Sequence, residues 1–261
     1  MADGGGQTWA GLCRIEAITD LPAVVMIVGL KEGAILIQGI SHTDRFKQHL
    51  RDSLRREACN SHSVKIARHH QIYQCGDRAE MVYFIESGLV KLVMSLPEDK
   101  ECTLAIYAAG DVFGELCPSR SGTRLETAIA MQETIIRQVP CSAFLARLSR
   151  DRLLEGFVQY LVLRIVDQQQ AIANLVTVDA EQRLGKTLLR LARTLGQKEP
   201  GGICIEWIIS SEELSEMVGA TRSRVCKFMK RFQNLDLIET RAKQYLIIKE
   251  QKLVDYLARI A

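Results

Sequence analysis

ISSEELSEMVGATRSRVCKFMKRF, residues 209–232, reads as two short helices joined by a tight turn. Ser210 can cap the first helix, and Glu213 three residues on completes a capping box. Leu214, Met217 and Val218 then share one face, Gly219 supplies the turn and Thr221 is a second N-cap. Val225, Phe228, Met229 and Phe232 recur at helical spacing, which leaves Arg222, Ser223, Arg224, Lys227 and Lys230 off the buried stripe. Aligned peptide dipoles leave partial positive charge at a helix start, so acids suit the first turn, yet here it carries Arg222 and Arg224. Such a start asks for an anion. A phosphate accepts the free N–H groups while the arginines reach other phosphates or the O6/N7 edge of guanine. On an ordinary solvated hairpin the same pattern has no such role, so its context decides.

Working outward, residues 237–239, a polar turn through Arg241 and Lys243, and residues 245–248 form a hairpin beside the two helices, a wing. Upstream, Asp179 with Gln182 can cap a helix that carries Leu184, Leu188, Leu191 and Leu195 and stops at Gly196, followed by the strand ICIEWII. Before it the periodicity predicts a long helix over 151–178, in which Leu154, Val158, Leu161, Ile165, Gln168, Ile172 and Leu175 alternate by four and three. An apolar seam of that length is best buried against a symmetry mate, with Gln168 as the polar residue that fixes register. The other reading lays the helix on its own β domain.

From residue 63 to 139 the pattern changes to short apolar runs broken by turn residues about every ten positions, which reads as an antiparallel roll or barrel. A short amphipathic helix, 43–59, precedes it with Phe46, Leu50 and Leu54 spaced by four. The fold class is therefore α+β: an N-terminal antiparallel β-roll of jelly-roll type, a long dimerisation helix and a C-terminal winged helix-turn-helix. The expected division is 1–42 as an N-terminal extension, 43–150 as the roll, 151–178 as the dimerisation helix and 179–261 as the DNA-binding unit.

Charge follows the same division. Residues 180–261 hold 15 Lys/Arg against 10 Asp/Glu, whereas residues 1–179 hold 19 against 21, so the surplus sits with the helix-turn-helix. The N-terminus shows no secretory signal, and Lys31, Glu32 and glycines break the apolar stretch 23–40 short of a membrane span, leaving buried strand or irregular packing. A cytoplasmic protein without a membrane partner is expected. Eight cysteines are scattered without C-x-x-C spacing, so reduced thiols and no metal are expected. No nucleophile and base, carboxylate pair or phosphate loop marks an enzyme.

In this order, with GDRAEMVYFIESGLVKL at 76–92, GDVFGEL at 110–116 and ISSEELSEMVGATRSRVCKFMKRFQNLDLIE at 209–239, the chain resembles the CRP/FNR family of bacterial transcription regulators over about residues 43–250. The resemblance implies a homodimer on a pseudo-palindromic double-stranded DNA operator, one recognition helix per half-site, contacting RNA polymerase. It places the base-reading positions at Arg222, Ser223 and Lys227, with Ser223 where members commonly have Glu, and Thr221, Arg224, Lys230, Arg241 and Lys243 against the backbone. For the members that bind cyclic AMP, it implies a nucleotide held by Gly114, Glu115, Leu116, Arg124 and Leu125, the arginine on the cyclic phosphate and Glu115 on a ribose hydroxyl, with Gln168 and Gln169 near the base. Arg124 takes the arginine's place once one residue is deleted after Leu116, and two departures stand out: CPSRSGT lacks the usual apolar pair after G-E-L, and Glu126 stands where a small neutral residue is usual. The alternative is a nucleotide-binding or dimerisation module that acts through protein contacts without specific DNA binding.

Overall fold

The computed structural model describes residues 40–56, 62–96, 100–115, 122–206, 209–242 and 244–260. The apolar stretch read at 23–40 and the N-terminal extension lie essentially outside them. The described residues open with α1 (Ile40–Arg56) and continue into eight strands: β1 (His62–Ile66), β2 (Gln71–Tyr73), β3 (Met81–Ser87), β4 (Leu89–Leu96), β5 (Lys100–Ala108), β6 (Val112–Phe113), β7 (Thr127–Ala130) and β8 (Thr134–Pro140). They form two antiparallel sheets, ordered β1-β8-β3-β6 and β2-β7-β4-β5.

Strand β3 shows why this sequence makes a two-sided core. Val82 and Phe84 face a helical layer with Phe46, Leu50 and Leu54 of α1, whereas Tyr83 and Ile85 face the opposite sheet. Side chains alternate across a strand, so one run of apolar residues serves both faces and reads as a continuous hydrophobic block. The helical layer is completed by α2 (Cys141–Arg150) and by the start of α3.

Helix α3 spans Leu154–Thr177, three residues later than its periodicity predicts. Asp151 caps α2 and Arg152 takes a left-handed φ of 56°, which separates the two helices. Cys141 is disulfide-bonded, so the expectation of reduced thiols fails there, while Cys75, Cys102, Cys204 and Cys226 are free.

The C-terminal part comprises α4 (Ala180–Leu195), β9 (Gln197–Glu199), β10 (Gly202–Glu206), α5 (Ser211–Val218), α6 (Arg222–Asn234), β11 (Ile238–Arg241), β12 (Tyr245–Ile248) and α7 (Glu250–Arg259). Its sheet, β11-β12-β10-β9, supplies the wing, and one core joins Leu184, Leu188, Ile205, Leu214, Val225, Phe232, Ile248 and Leu253. The caps follow local chemistry. Asp179 accepts from the Gln182 N–H, Ser210 and Glu213 form a full capping box, and Gly219 takes φ 63° to end α5. Leu89 and Met131 of the roll join this core, so the β4–β5 hairpin rests on α5. Two polar contacts fix that seat: Lys91 Nζ lies 3.1 Å from Glu213 Oε1, and Thr103 Oγ1 donates to Glu216 Oε2 at 2.7 Å.

Candidate nucleic-acid interface and roll interior

Val225 and Phe232 anchor α6 without any solvent exposure, and helical periodicity then turns Arg222, Ser223, Arg224, Lys227 and Lys230 to the outside. Thr221 Oγ1 accepts from the Arg224 N–H at 3.4 Å, satisfying one first-turn donor, while the other N–H groups of that turn lack intrahelical partners. Arg222 lies 3.6 Å from Glu212 in an open, solvated pair, which is a weak tether for a side chain that must reach a ligand. The Arg224 guanidinium lies over the Phe228 ring at 5.8 Å. On the opposite side, Arg231 pairs with Glu181 at 3.0 Å, and Glu181 also accepts from the Tyr256 hydroxyl, so α6 is held to α4 and α7.

The wing is set by Asp236, which takes a left-handed φ of 57° between α6 and β11. Hydrogen bonds from Lys249 and Lys252 hold its carboxyl at about 2, well below the usual range. Arg241 in β11 is exposed, 3.5 Å from Glu199 and 3.9 Å from Glu239. Lys243 lies outside the described residues. The arrangement presents a positively charged helix start and, on the wing of the same unit, an exposed Arg241, a geometry that can meet a duplex groove and its phosphates.

Inside the roll, Tyr73, Tyr83, Tyr107 and Phe113 form a ring cluster with centroids 5.0 to 6.4 Å apart. Arg124 is 3 % exposed and its guanidinium lies 4.3 Å from the Tyr73 centroid. Its Nη1 donates to the Gly114 carbonyl at 2.8 Å and its Nη2 to the Met81 carbonyl. Gly114 is required here: at φ 74° a Cβ would lie 2.8 Å from Arg124 Nη1 and 2.9 Å from the Tyr83 ring. Glu126, 4 % exposed, accepts from the Tyr73 hydroxyl at 2.8 Å. Burial, and then the Glu126 carboxylate, pushes the Tyr73 hydroxyl far up, so it remains a donor.

Glu115 pairs with Arg164 of α3 at 2.9 Å. Arg164 also donates to the Val112 carbonyl at 3.2 Å and to the Tyr107 hydroxyl. Burial opposes its charge, but Glu115 and the tyrosines raise its pKa further, so it stays a guanidinium. Arg124 Nε and Glu115 Oε2 are buried without a hydrogen-bond partner among the described residues.

Of the residues assigned to a nucleotide, Gly114, Glu115 and Arg124 are therefore brought together, Leu125 is half exposed and Leu116 lies outside the described residues. Gln168 and Gln169 are exposed on α3; the α3 side chain that meets Glu115 is Arg164, one turn earlier. Sequence reasoning missed Tyr73, Tyr107 and Arg164. The available signal was the second face of α3, where Phe157, Tyr160 and Arg164 follow one another by three and four. Both terminal nitrogens of Arg124 thus serve backbone carbonyls, and a buried carboxylate, Glu126, lies two residues away, which sets this interior against a further anion.

On α3 the exposed apolar residues include Leu154, Val158, Val162, Ile165, Ile172, Leu175 and Val176. Leu161 of the predicted seam is partly buried against the α1–α2 layer, and Val162 beside it is half exposed. A straight helix has 3.6 residues per turn, so a strict four-three alternation drifts off any fixed face. No group of three or more His, Cys, Asp and Glu suited to a metal occurs among the described residues, and no helix there is long and apolar enough to cross a membrane.

Two family models match: a cyclic nucleotide-binding domain over residues 63–151 and a Crp-like helix-turn-helix domain over residues 182–256. A CRP-like cAMP-activated global transcriptional regulator of Mycobacterium tuberculosis is 28% identical over 191 residues, covering 73% of this chain and 85% of that protein. The global nitrogen regulator of Synechococcus elongatus is 30% identical, covering 67% of this chain and 81% of that protein. Among solved structures, a CooA mutant from Carboxydothermus hydrogenoformans superposes with a TM-score of 0.61 at 26% identity, covering 76% of this chain and 88% of that one. FixK2 from Bradyrhizobium japonicum shares the fold, with a TM-score of 0.66 at 18% identity over 75% of this chain and 96% of that one. By domain order, sequence and fold, the chain belongs to the CRP/FNR family of DNA-binding transcription regulators.

Proposed function

We propose that this regulator acts as a homodimer, two copies joined along α3, and sets its two α6 helices in successive major grooves of a pseudo-palindromic operator. Arg222, Ser223 and Lys227 then read bases, while Thr221, Arg224, Lys230, Arg241 and Lys243 hold phosphates. The observation that carries this reading is the exposed Arg222–Lys230 face of a helix whose other side is locked by Val225, Phe232 and Arg231. A rigid basic face is what groove recognition needs. Contact with RNA polymerase and action in the cytoplasm belong to the same proposal. They rest on the family and on where its DNA lies.

The test is selection of duplexes from a random pool by the purified full-length chain. The expected result is an inverted repeat whose half-site centres are about one helical turn, ~34 Å, apart. Recovery of unrelated sequences at background frequency overturns the reading and favours a module that works through protein contacts.

A further inference from the structure

We propose that the roll of this chain takes no cyclic nucleotide, because Tyr73, Glu126 and Arg164 already fill the space and bind the groups that such a ligand would use; resting on the DNA-binding reading above, operator binding then needs no nucleotide.

Charge is the first ground. Among the described residues, the groups around the ring cluster include two guanidinium groups, Arg124 and Arg164, and two carboxylates, Glu115 and Glu126. These four balance one another, so a phosphodiester anion would meet the repulsion of a Glu126 that is 4 % exposed.

Direction is the second. An arginine binds phosphate best by presenting paired N–H groups in its fork. Both terminal nitrogens of Arg124 instead donate to the Gly114 and Met81 carbonyls, and its face is covered by Tyr73 and, 5.4 Å away, by Tyr83. These two bonds use two of the five N–H groups of Arg124, and among the described residues its Nε and Glu115 Oε2 are the atoms there with no partner.

Space is the third. Tyr73 projects from β2 into the inter-sheet cluster and is pinned there by its bond to Glu126 at 2.8 Å. An aliphatic residue at position 73 would leave out both the distal ring atoms and the hydroxyl that satisfies the carboxylate.

The same groups also supply the connection a ligand would otherwise make between roll and long helix. Arg164 reaches from α3 to Glu115 and to the Val112 carbonyl, and Tyr160 Oη accepts from the Val112 N–H at 3.2 Å. The end of α3 leads directly into α4 of the DNA-binding unit, so this link is made by the chain itself.

The experiment is calorimetric titration of nucleotide-free full-length protein with cyclic AMP and with cyclic GMP, paired with operator binding in the presence and absence of each. The expected result is no saturable heat, and operator affinity unchanged within about twofold, well under a typical allosteric coupling. The double variant Tyr73→Ile/Glu126→Ala, checked by thermal melting, should gain saturable nucleotide binding. If it does not fold, Glu126→Gln, which keeps the shape and removes the charge, should bind at least detectably where wild type does not. Saturable binding of either nucleotide by wild type, or a rise of about tenfold or more in operator affinity, overturns the proposal. A folded double variant that stays inert overturns the assignment of Tyr73 and Glu126 as the block. If no operator is found at all, the DNA-binding reading fails, and the titrations still decide this one.

Discussion

Arg222 and Lys230 sit on the same exposed side of α6 but should fail differently when removed. Arg222 stands in the first turn, loosely held by Glu212 across 3.6 Å, free to swing into a groove. Arg222→Ala is expected to cost about 1–3 kcal/mol on the selected operator and to relax preference at one position of each half-site, as competition gel shifts will show. Lys230 lies two turns on, where a cation meets backbone rather than base, so Lys230→Ala should weaken all duplexes alike and lower the salt slope by about one. Ser223 is the residue whose reading is least constrained, since a hydroxyl both donates and accepts. Ser223→Glu should add selectivity for cytosine, whose N4 amino group a carboxylate accepts from. These outward residues were legible from sequence because a cap and a four-residue apolar repeat fix a short helix locally: Ser210, Glu213, Gly219 and Thr221 all play the backbone parts their chemistry suggests. Arg164 was not legible. Its partner Glu115 is 49 positions away, and nothing in either local stretch announces that tertiary packing will bring the two together.

Helix α5 shows how one side chain can serve an element and an interface at once. Glu213 accepts from the Ser210 N–H at 2.8 Å in the capping box and also pairs with Lys91 of the β4–β5 hairpin. Burial alone would raise its pKa, but the Ser210 N–H and Lys91 outweigh burial and bring it below its ordinary value of 4.5. A depressed folded pKa means the contribution is complete above the unfolded value and is lost as pH falls through the folded one. Glu213→Gln keeps a capping side chain but leaves the Lys91 ammonium, whose side chain is largely enclosed, without its counter-ion. It should cost about 1–3 kcal/mol at pH 7 by urea denaturation, with the gap to wild type closing as pH drops below about 4.5. A gap independent of pH would mean that shape, not charge, is what Glu213 supplies. The capping half of this arrangement was readable from S-x-x-E spacing, whereas the Lys91 half depends on how the roll and the helix-turn-helix pack. Helix α3 divides in the same way. Its outward seam was readable as a four-three repeat, but the inward face of Phe157, Tyr160 and Arg164 acquires meaning only against α1 and β6.

Two copies of the molecule explain an apolar stripe that one copy leaves in water. Ile165 and Ile172 are 52 % and 63 % exposed, and with Leu154, Val158 and Val162 they run along one side of α3. Contiguous exposed patches of this kind mark association sites, and a helix seam is self-complementary about a two-fold axis. Ile165→Glu places a carboxylate at the middle of that stripe and faces it with its own copy, so the charges would be both desolvated and like-signed. Light scattering should then report a monomer at concentrations where wild type is dimeric. The DNA consequence follows from linkage of two sites. A dimer that has docked one α6 presents the second at high local concentration, so losing it should lower operator affinity by about 10²–10⁴. Salt provides an independent readout, because the log–log slope of affinity against salt is about −0.9 for each phosphate neutralised. If the variant docks one half-site where wild type docks two, its slope should fall to about half. A monomer whose slope is unchanged would show that one copy already makes every phosphate contact, and a dimer that survives the substitution would move the interface off this face of α3.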